Sequence, residues 1–544
     1  MLVLEAGFAL LAGVMSVCWP RAGSLWFAKI EKLFGRLARR RAASVVVVGT
    51  MAILLRLAIL PVQPIPEPFI HDEFSYLLAA DTFASGRLTN PTHDLWPHFE
   101  SFHIDQQPTY MSMYFPAQGL MLAAGQVLFG HPWYGVLLSV GLMCGALCWM
   151  MQGWLPPGWA LLGGMLAVIR LGLFSNWVNG YYGGAIAATG GALVLGALPR
   201  FRRRANVRDG TWLAVGAILL ATSRPYEGLL VCGPAAVALF LPAVQKPRIL
   251  LAPLVLMLIA TGLMAYYNQR VFGSPLTLPY ETNRMTYASA PVFLWESPRP
   301  APEYRSKALH DFYQIWEMHD FRLARTPQGF LDKAAQKFAT ALLFFFGIAL
   351  PIPLVMVPRL FRDTRVRYLL VAGAVFGIGL GMNAWFFPHY AAPFTGGVYV
   401  LLLQCMRHLR QSKPIGLALV RYAPLVCLML AGIRIYAEPL GLAIHRWPAM
   451  WFGTSALGLP RAKVAAQLEA NPGKQLAIVR YSAQHAPFDD WVYNQADIDA
   501  SKVVWARELH AASNLELLRY FQDRQVWLVE PDCDPPRVSP YSAR

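Results

Sequence analysis

The sequence is poor in acid, and poorest where its apolar residues run together. Of its 544 residues, 31 are Asp or Glu against 47 Lys or Arg, and charged residues make up only 14% of a chain that is 56% hydrophobic. A soluble protein of this length could not bury so much apolar surface in one or two cores, so lipid must be part of its solvent. Cysteine lacks any useful pattern: seven residues, at 18, 144, 148, 232, 405, 427 and 533, show neither zinc nor disulfide spacing. Cys144 and Cys148, four apart in an apolar run, read as small buried thiols, and Cys533 falls unpaired in the C-terminal tail. There is no Gly-rich phosphate loop, no repeat of fixed period and no low-complexity segment. The opening stretch MLVLEAGFALLAGVMSVCWP has no basic residues ahead of its apolar run and carries Glu5 there, which predicts an anchor span with its start outside rather than a cleaved signal.

The formal net charge of +16 would suggest nucleic acid if the basic residues shared one surface. They fall between apolar runs instead. The connections 21–41, 200–208, 246–248, 359–367 and 407–413 carry 7, 5, 2, 4 and 3 Lys or Arg, which by the positive-inside rule makes them cytoplasmic. No aromatic-studded basic patch remains once these are assigned, so nucleic-acid binding is excluded as a reading. The segment 62–115 is the reverse: one basic residue, Arg87, against the seven acids Glu67, Asp72, Glu73, Asp81, Asp94, Glu100 and Asp105. That loop is expected to face outward.

Apolar stretches near the roughly 20 residues needed to cross a bilayer lie at 2–18, 43–61, 132–151, 158–174, 178–198, 211–223, 228–243, 249–267, 338–357, 366–386, 393–407 and 417–436. The expected fold is therefore all-α and polytopic, with about 12 transmembrane helices over residues 1–436. The Pro-led stretch 116–130 is assigned to the interface, because a span there would put the basic loops 200–208 and 359–367 outside. The principal outer loops are then 62–131 and 268–337. From 437 to 544 the pattern changes to amphipathic helical runs alternating with short β-branched runs, such as KVAAQLEA, KQLAIVRY and RQVWLVEPD, which predicts a small extracytoplasmic α/β domain with an accessory or acceptor-docking role.

The most pointed local feature is HDEFSYLLAADTFASG, which starts at His71 just after the second apolar run and its Pro-rich exit LPVQPIPEPF. Phe74, Leu77, Leu78 and Ala84 recur at helical spacing, so Asp72 and Glu73 sit at a helix N-terminus. Capping by Asp72, worth about 1 kcal/mol, would account for one acid there. An acid at the outer mouth of a membrane groove would also serve as a general base toward a hydroxyl acceptor. His71, His93, His98 and His103 accompany these acids without metal-ligand spacing, so no metal cofactor is expected, although a divalent ion would suit such a loop. Arg56, Arg170, Arg224 and Arg434 fall near the outer ends of spans and are candidate cations for a phosphate, with snorkelling to the headgroups as the simpler account. Arg224 lies in the turn SRPYEG, where Glu227 could orient it. His389 and Tyr390 in FFPHYAAP, and Asn176, Asn179, Tyr181 and Tyr182 in SNWVNGYYGG, offer sugar-binding groups at other outer turns, where aromatic belts and caps are also usual.

The order of an outward span, Asp-Glu at its exit, Tyr76 three residues on, a helix ending near a Gly, the stretch QQPTYMSMYFPAQG and then many spans resembles the type-C glycosyltransferases, in particular the protein O-mannosyltransferases and the lipid A aminoarabinose transferase. That resemblance implies a polyprenyl-phosphate-linked sugar as donor and a glycan, lipid or protein acceptor. It further implies transfer at the periplasmic face of a bacterial inner membrane, with Asp72 as the catalytic acid and Glu73 its neighbour. Donor-phosphate contacts are then expected from Arg56, Arg170, Arg224, His389 and Tyr390, and substrate contacts from Asp105, Tyr76, Asn179 and Glu227. The loop has no Asp-x-Asp, which resembles the metal-independent branch. The rival class, a transporter or lipid flippase, would place ionisable groups near the midplane, whereas these acids lie in outer loops.

Overall fold

The computed structural model describes residues 1–437, 440–442, 444, 450–453 and 456–542, with side chains 241–244 left out of the account. It is mostly helical, with one small sheet near the C-terminus. Among the described residues, five helices are long and apolar enough to cross a membrane: Arg41–Ala58, Trp133–Trp154, Gly184–Arg203, Pro247–Phe272 and Ile415–Tyr436. Shorter apolar helices are Leu2–Cys18, Pro157–Leu171, Pro225–Phe240 and Arg367–Gly381. Leu254, Leu258, Ile259 and Leu263 on the fourth long helix are exposed, which only a lipid solvent accommodates. The chain is a multi-pass membrane protein.

Every apolar stretch named from the sequence contains a helix, but among the described residues five rather than twelve satisfy length and composition together. Two stretches depart from expectation for visible reasons. The run 178–198 becomes helical only at Gly184, because residues 175–183 form an irregular segment sealed inside the bundle. The run 338–357 belongs to a helix that starts at Pro327, where Thr326 accepts the amide of Gly329, and stops at Phe346. Gly347 follows at φ +59°, and Pro351 and Pro353 prevent resumption of an α-helix.

Small residues allow the helices to approach closely, as they do in membrane bundles. The tightest case is Gly191, where an added Cβ would lie 1.7 Å from the carbonyl oxygen of Pro393. That approach seats the turn carrying His389 and Tyr390 against the helix Gly184–Arg203.

Outside the bundle, His71–Ala84 packs on Pro116–Phe129, and the short strands Ile104–Asp105 and Met111–Ser112 pair antiparallel beside them. The C-terminal sheet has the order Val503–Arg507, Lys474–Val479, Arg524–Glu530, Arg537–Pro540, with the first three parallel and the last antiparallel. It shares a core with the acidic loop. Leu78, Phe99, Ile104 and Tyr110 pack in one cluster with Leu476, Ile478 and Val504. Phe74 stacks on Tyr493 at 4.2 Å, and the amide of Ala496 donates to Asp81 Oδ2 at 2.8 Å. The helix bearing Asp72 is therefore clamped between the membrane bundle and the sheet domain.

Candidate active site

At the start of His71–Ala84 the two adjacent acids divide their work. Glu73 caps the helix: Oε2 accepts the amides of Phe69 at 2.8 Å and Ile70 at 3.2 Å. Its Oε1 accepts the amide of Tyr181 at 2.9 Å, and a Cβ on Gly180 would come within 2.8 Å of that oxygen. Burial pushes the Glu73 carboxyl up to about 7 against the pull of these amides. The capping role considered for Asp72 thus falls to its neighbour, and Glu73 is committed to holding the helix onto the 176–183 segment.

Asp72 makes a different set of contacts. His103 Nδ1 donates to its Oδ1 at 2.5 Å, Tyr114 donates to the same oxygen, and His71 Nε2 lies 3.5 Å away. Among the described residues Oδ2 has no hydrogen-bond partner, and the Asp72 side chain is 17% exposed. Burial alone would raise the Asp72 carboxyl, but the charges of His103 and His71 and the two hydrogen bonds outweigh it and hold the group well below the usual carboxylate range. Burial and repulsion from His103 bring His71 down to about 3. His103 has φ +59°, a conformation uncommon outside glycine that turns its ring back toward Asp72. Ligand atoms of His71, Asp72 and His103 lie within 4.8 Å of one another, a spacing that one divalent ion could bridge. Linear spacing gave no hint of this set, because His103 arrives from 31 residues downstream.

Arg224 faces the same region. It is buried and has no ion pair among the described residues, and its guanidinium lies 4.6 Å over the Tyr390 ring. Tyr76, Tyr390 and His389 each lie within electrostatic range of both Arg224 and Asp72. Tyr76 stacks on Tyr114 at 4.3 Å, and His389 stacks on Tyr182 at 5.2 Å. Glu227 is buried close to Arg224 without a salt bridge to it. Tyr280, from the outer segment after the helix Leu251–Phe272, meets Tyr114 edge-on at 5.5 Å. The sequence reading did not single out Tyr114, Tyr280 or the pairing of His103 with Asp72.

Five other expected site residues are held elsewhere. Arg56 donates to Gln63 O at 2.9 Å, Pro64 O at 3.2 Å and Asn179 Oδ1 at 3.0 Å, so Arg56 and Asn179 together fasten the chain where it leaves the bundle. Arg170 pairs with Glu5 at 3.0 Å and lies 4.3 Å over the Trp451 ring, sealed among helices. Asp105 accepts from Asn283 Nδ2 at 3.0 Å and is otherwise buried without a partner, which pushes it up to about 8. Arg434 donates to the carbonyls of Phe452 and Gly453 at 3.0 and 2.9 Å.

No family model matches the sequence, and no curated protein does. Solved structures do. The structure is similar to ArnT from Cupriavidus metallidurans bound to undecaprenyl phosphate, at 13% identity over 89% of this chain and 92% of that one, with a TM-score of 0.48. It is similar to the oligosaccharyltransferase of Archaeoglobus fulgidus in complex with Zn and sulfate, at 11% identity over 90% of this chain and 67% of that one, with a TM-score of 0.47. Identity this low transfers no residue roles, so the chemistry must be read from this chain's own groups.

Proposed function

We propose that the protein is a membrane glycosyltransferase that moves a sugar from a polyprenyl-phosphate-linked donor to an envelope glycan, lipid or protein at the periplasmic face of a bacterial inner membrane. The observation that carries this reading is that the Asp72 carboxylate and the buried guanidinium of Arg224, which makes no ion pair among the described residues, flank one tyrosine-lined site. An acceptor hydroxyl gives its proton to Asp72 Oδ2 while its oxygen bonds to the anomeric carbon. The bond from that carbon to the phosphate oxygen breaks, and the lipid phosphate leaves with the electron pair. Arg224 stabilises the charge that develops on it. A single in-line displacement inverts the anomeric centre.

The transporter reading lacks comparable support. Glu5, the acid within an apolar run, is neutralised by Arg170 and fully buried, so it lines no path. The deciding experiment is mass spectrometry of envelope glycans and lipids from cells lacking the gene. One missing sugar with accumulation of a polyprenyl donor is expected; an unchanged envelope with a lipid mislocalised across the bilayer would favour the flippase.

A further inference from the structure

Between the helices Leu2–Cys18 and Arg41–Ala58 lies a third, Ser24–Arg39, whose character differs from both. Gly23, at φ +67°, turns the chain into it and Arg40 leaves helical geometry after it, so it is a separate element rather than an extension of either neighbour. At 3.6 residues per turn its side chains fall into three strips. Phe27, Phe34 and Ala38 face the bundle: Ala38 is buried, Phe34 packs on the main apolar core, and Phe27 meets Tyr422 edge-on at 5.9 Å. Trp26, Ile30 and Leu33 form a second apolar strip that stands outside, 71, 59 and 68% exposed. The third strip is basic and exposed: Lys29, Lys32, Arg36 and Arg39.

The basic strip is not neutralised from within the protein. Glu31 is the helix's one acid, and the bundle takes it: Arg421 donates to both its oxygens at 2.9 and 3.3 Å, and Arg410 lies 3.7 Å from it. Lys29, Lys32, Arg36 and Arg39 pair with no acid among the described residues. In water the exposed apolar strip would be unfavourable and the cations would repel one another. At the boundary of an anionic bilayer both strips are satisfied, the apolar residues among acyl chains and the cations level with the headgroups. The adjoining helix Arg41–Ala58 is long and apolar enough to cross a membrane, and it leads away from this surface toward the helix that bears Asp72.

We infer that Ser24–Arg39 is a docking surface for anionic phospholipids, with Trp26, Ile30 and Leu33 in the acyl layer and Lys29, Lys32, Arg36 and Arg39 on the negatively charged headgroups. A lipid without net charge answers the apolar strip alone. A second copy of this chain meeting it face to face would bring like charges together. The inference stands whether or not the protein transfers a sugar.

The test uses the full-length protein in nanodiscs made of phosphatidylcholine and phosphatidylglycerol in equal parts. Each lipid in turn carries a photoreactive group near its headgroup, and peptide mass spectrometry locates the attachment. Attachment within residues 24–39 favours the phosphatidylglycerol probe by about tenfold, and raised salt erodes that preference in the unaltered protein. The variant K29Q/K32Q/R36Q/R39Q loses the preference but is still labelled, whereas K29R/K32R keeps it, as does R202Q/R208Q, which is neutralised in a different basic connection. The four cations make no ion pair among the described residues, so an unchanged Tm in phosphatidylcholine nanodiscs is expected for the quadruple variant. Equal labelling by the two probes, a preference that survives salt or the quadruple substitution, or crosslinks between two copies in place of lipid at 24–39 overturns the proposal.

Discussion

His103 reaches back across 31 residues to place its Nδ1 2.5 Å from Asp72 Oδ1, and it adopts a left-handed backbone conformation to do so. The pair, with Tyr114, occupies one oxygen of the carboxylate and leaves the other open.

Replacing Asp72 with Asn removes the base and leaves the packing almost unchanged. Transfer of labelled sugar by the purified protein is expected to fall by roughly 10²- to 10⁴-fold, the usual worth of a positioned general base, while membrane insertion and Tm stay as they are. Transfer within a few-fold of wild type would remove Asp72 from the reaction. His103→Gln keeps a hydrogen-bonding side chain but loses the imidazole, and a smaller loss, about tenfold, is expected in the same assay.

Arg224 and Arg170 separate function from structure. Arg224→Gln is expected to weaken binding of a polyprenyl phosphate by about tenfold or more with little change in Tm, because Arg224 makes no ion pair among the described residues and rests on the Tyr390 ring. Arg170→Met strands the buried Glu5 carboxylate and should cost about 3–5 kcal/mol, seen as a lowered Tm in detergent. The double variant with Glu5→Leu should recover much of that loss.

Glu73→Gln keeps the size of the side chain but replaces one of two acceptor oxygens with a donor, so at least one of the three amides it now accepts goes unmet. A loss of about 1–3 kcal/mol is expected from thermal unfolding. Transfer activity per folded molecule should be nearly retained, which distinguishes a cap from a catalytic acid.

Truncation at residue 458 removes one side of the core shared by Leu78, Phe99 and Ile104 with Leu476 and Ile478. Limited proteolysis should then cut within 62–131, a segment expected to resist cleavage in the full chain. Survival of that loop in the truncated protein would show that the two parts fold separately.

Much of this was legible in the linear chain. Apolar runs must become helices in lipid, because every backbone polar group there needs an internal partner, and each of the twelve runs does contain one. The first outer loop announced itself through acids without basic companions, and Asp72 and Arg224 were both marked as candidates. What was not legible depends on contacts that no local pattern encodes. Asp72 and Glu73 are neighbours with the same chemistry, and only the positions of Tyr181 and His103, both brought in from afar, decide which is a cap and which is open. The arginines near span ends look alike in sequence. Arg170 finds Glu5 165 residues away, whereas Arg224 makes no salt bridge among the described residues and lies over the Tyr390 ring.

The sequence by itself determined the solvent, the helical class and which loop gathers negative charge, since hydropathy and charge act through composition over a span's length. Tertiary structure alone decided which charged groups are neutralised and which are left facing one another. Pairing is settled at distances of about 3 Å, and only the folded bundle brings residues from opposite ends of the chain that close.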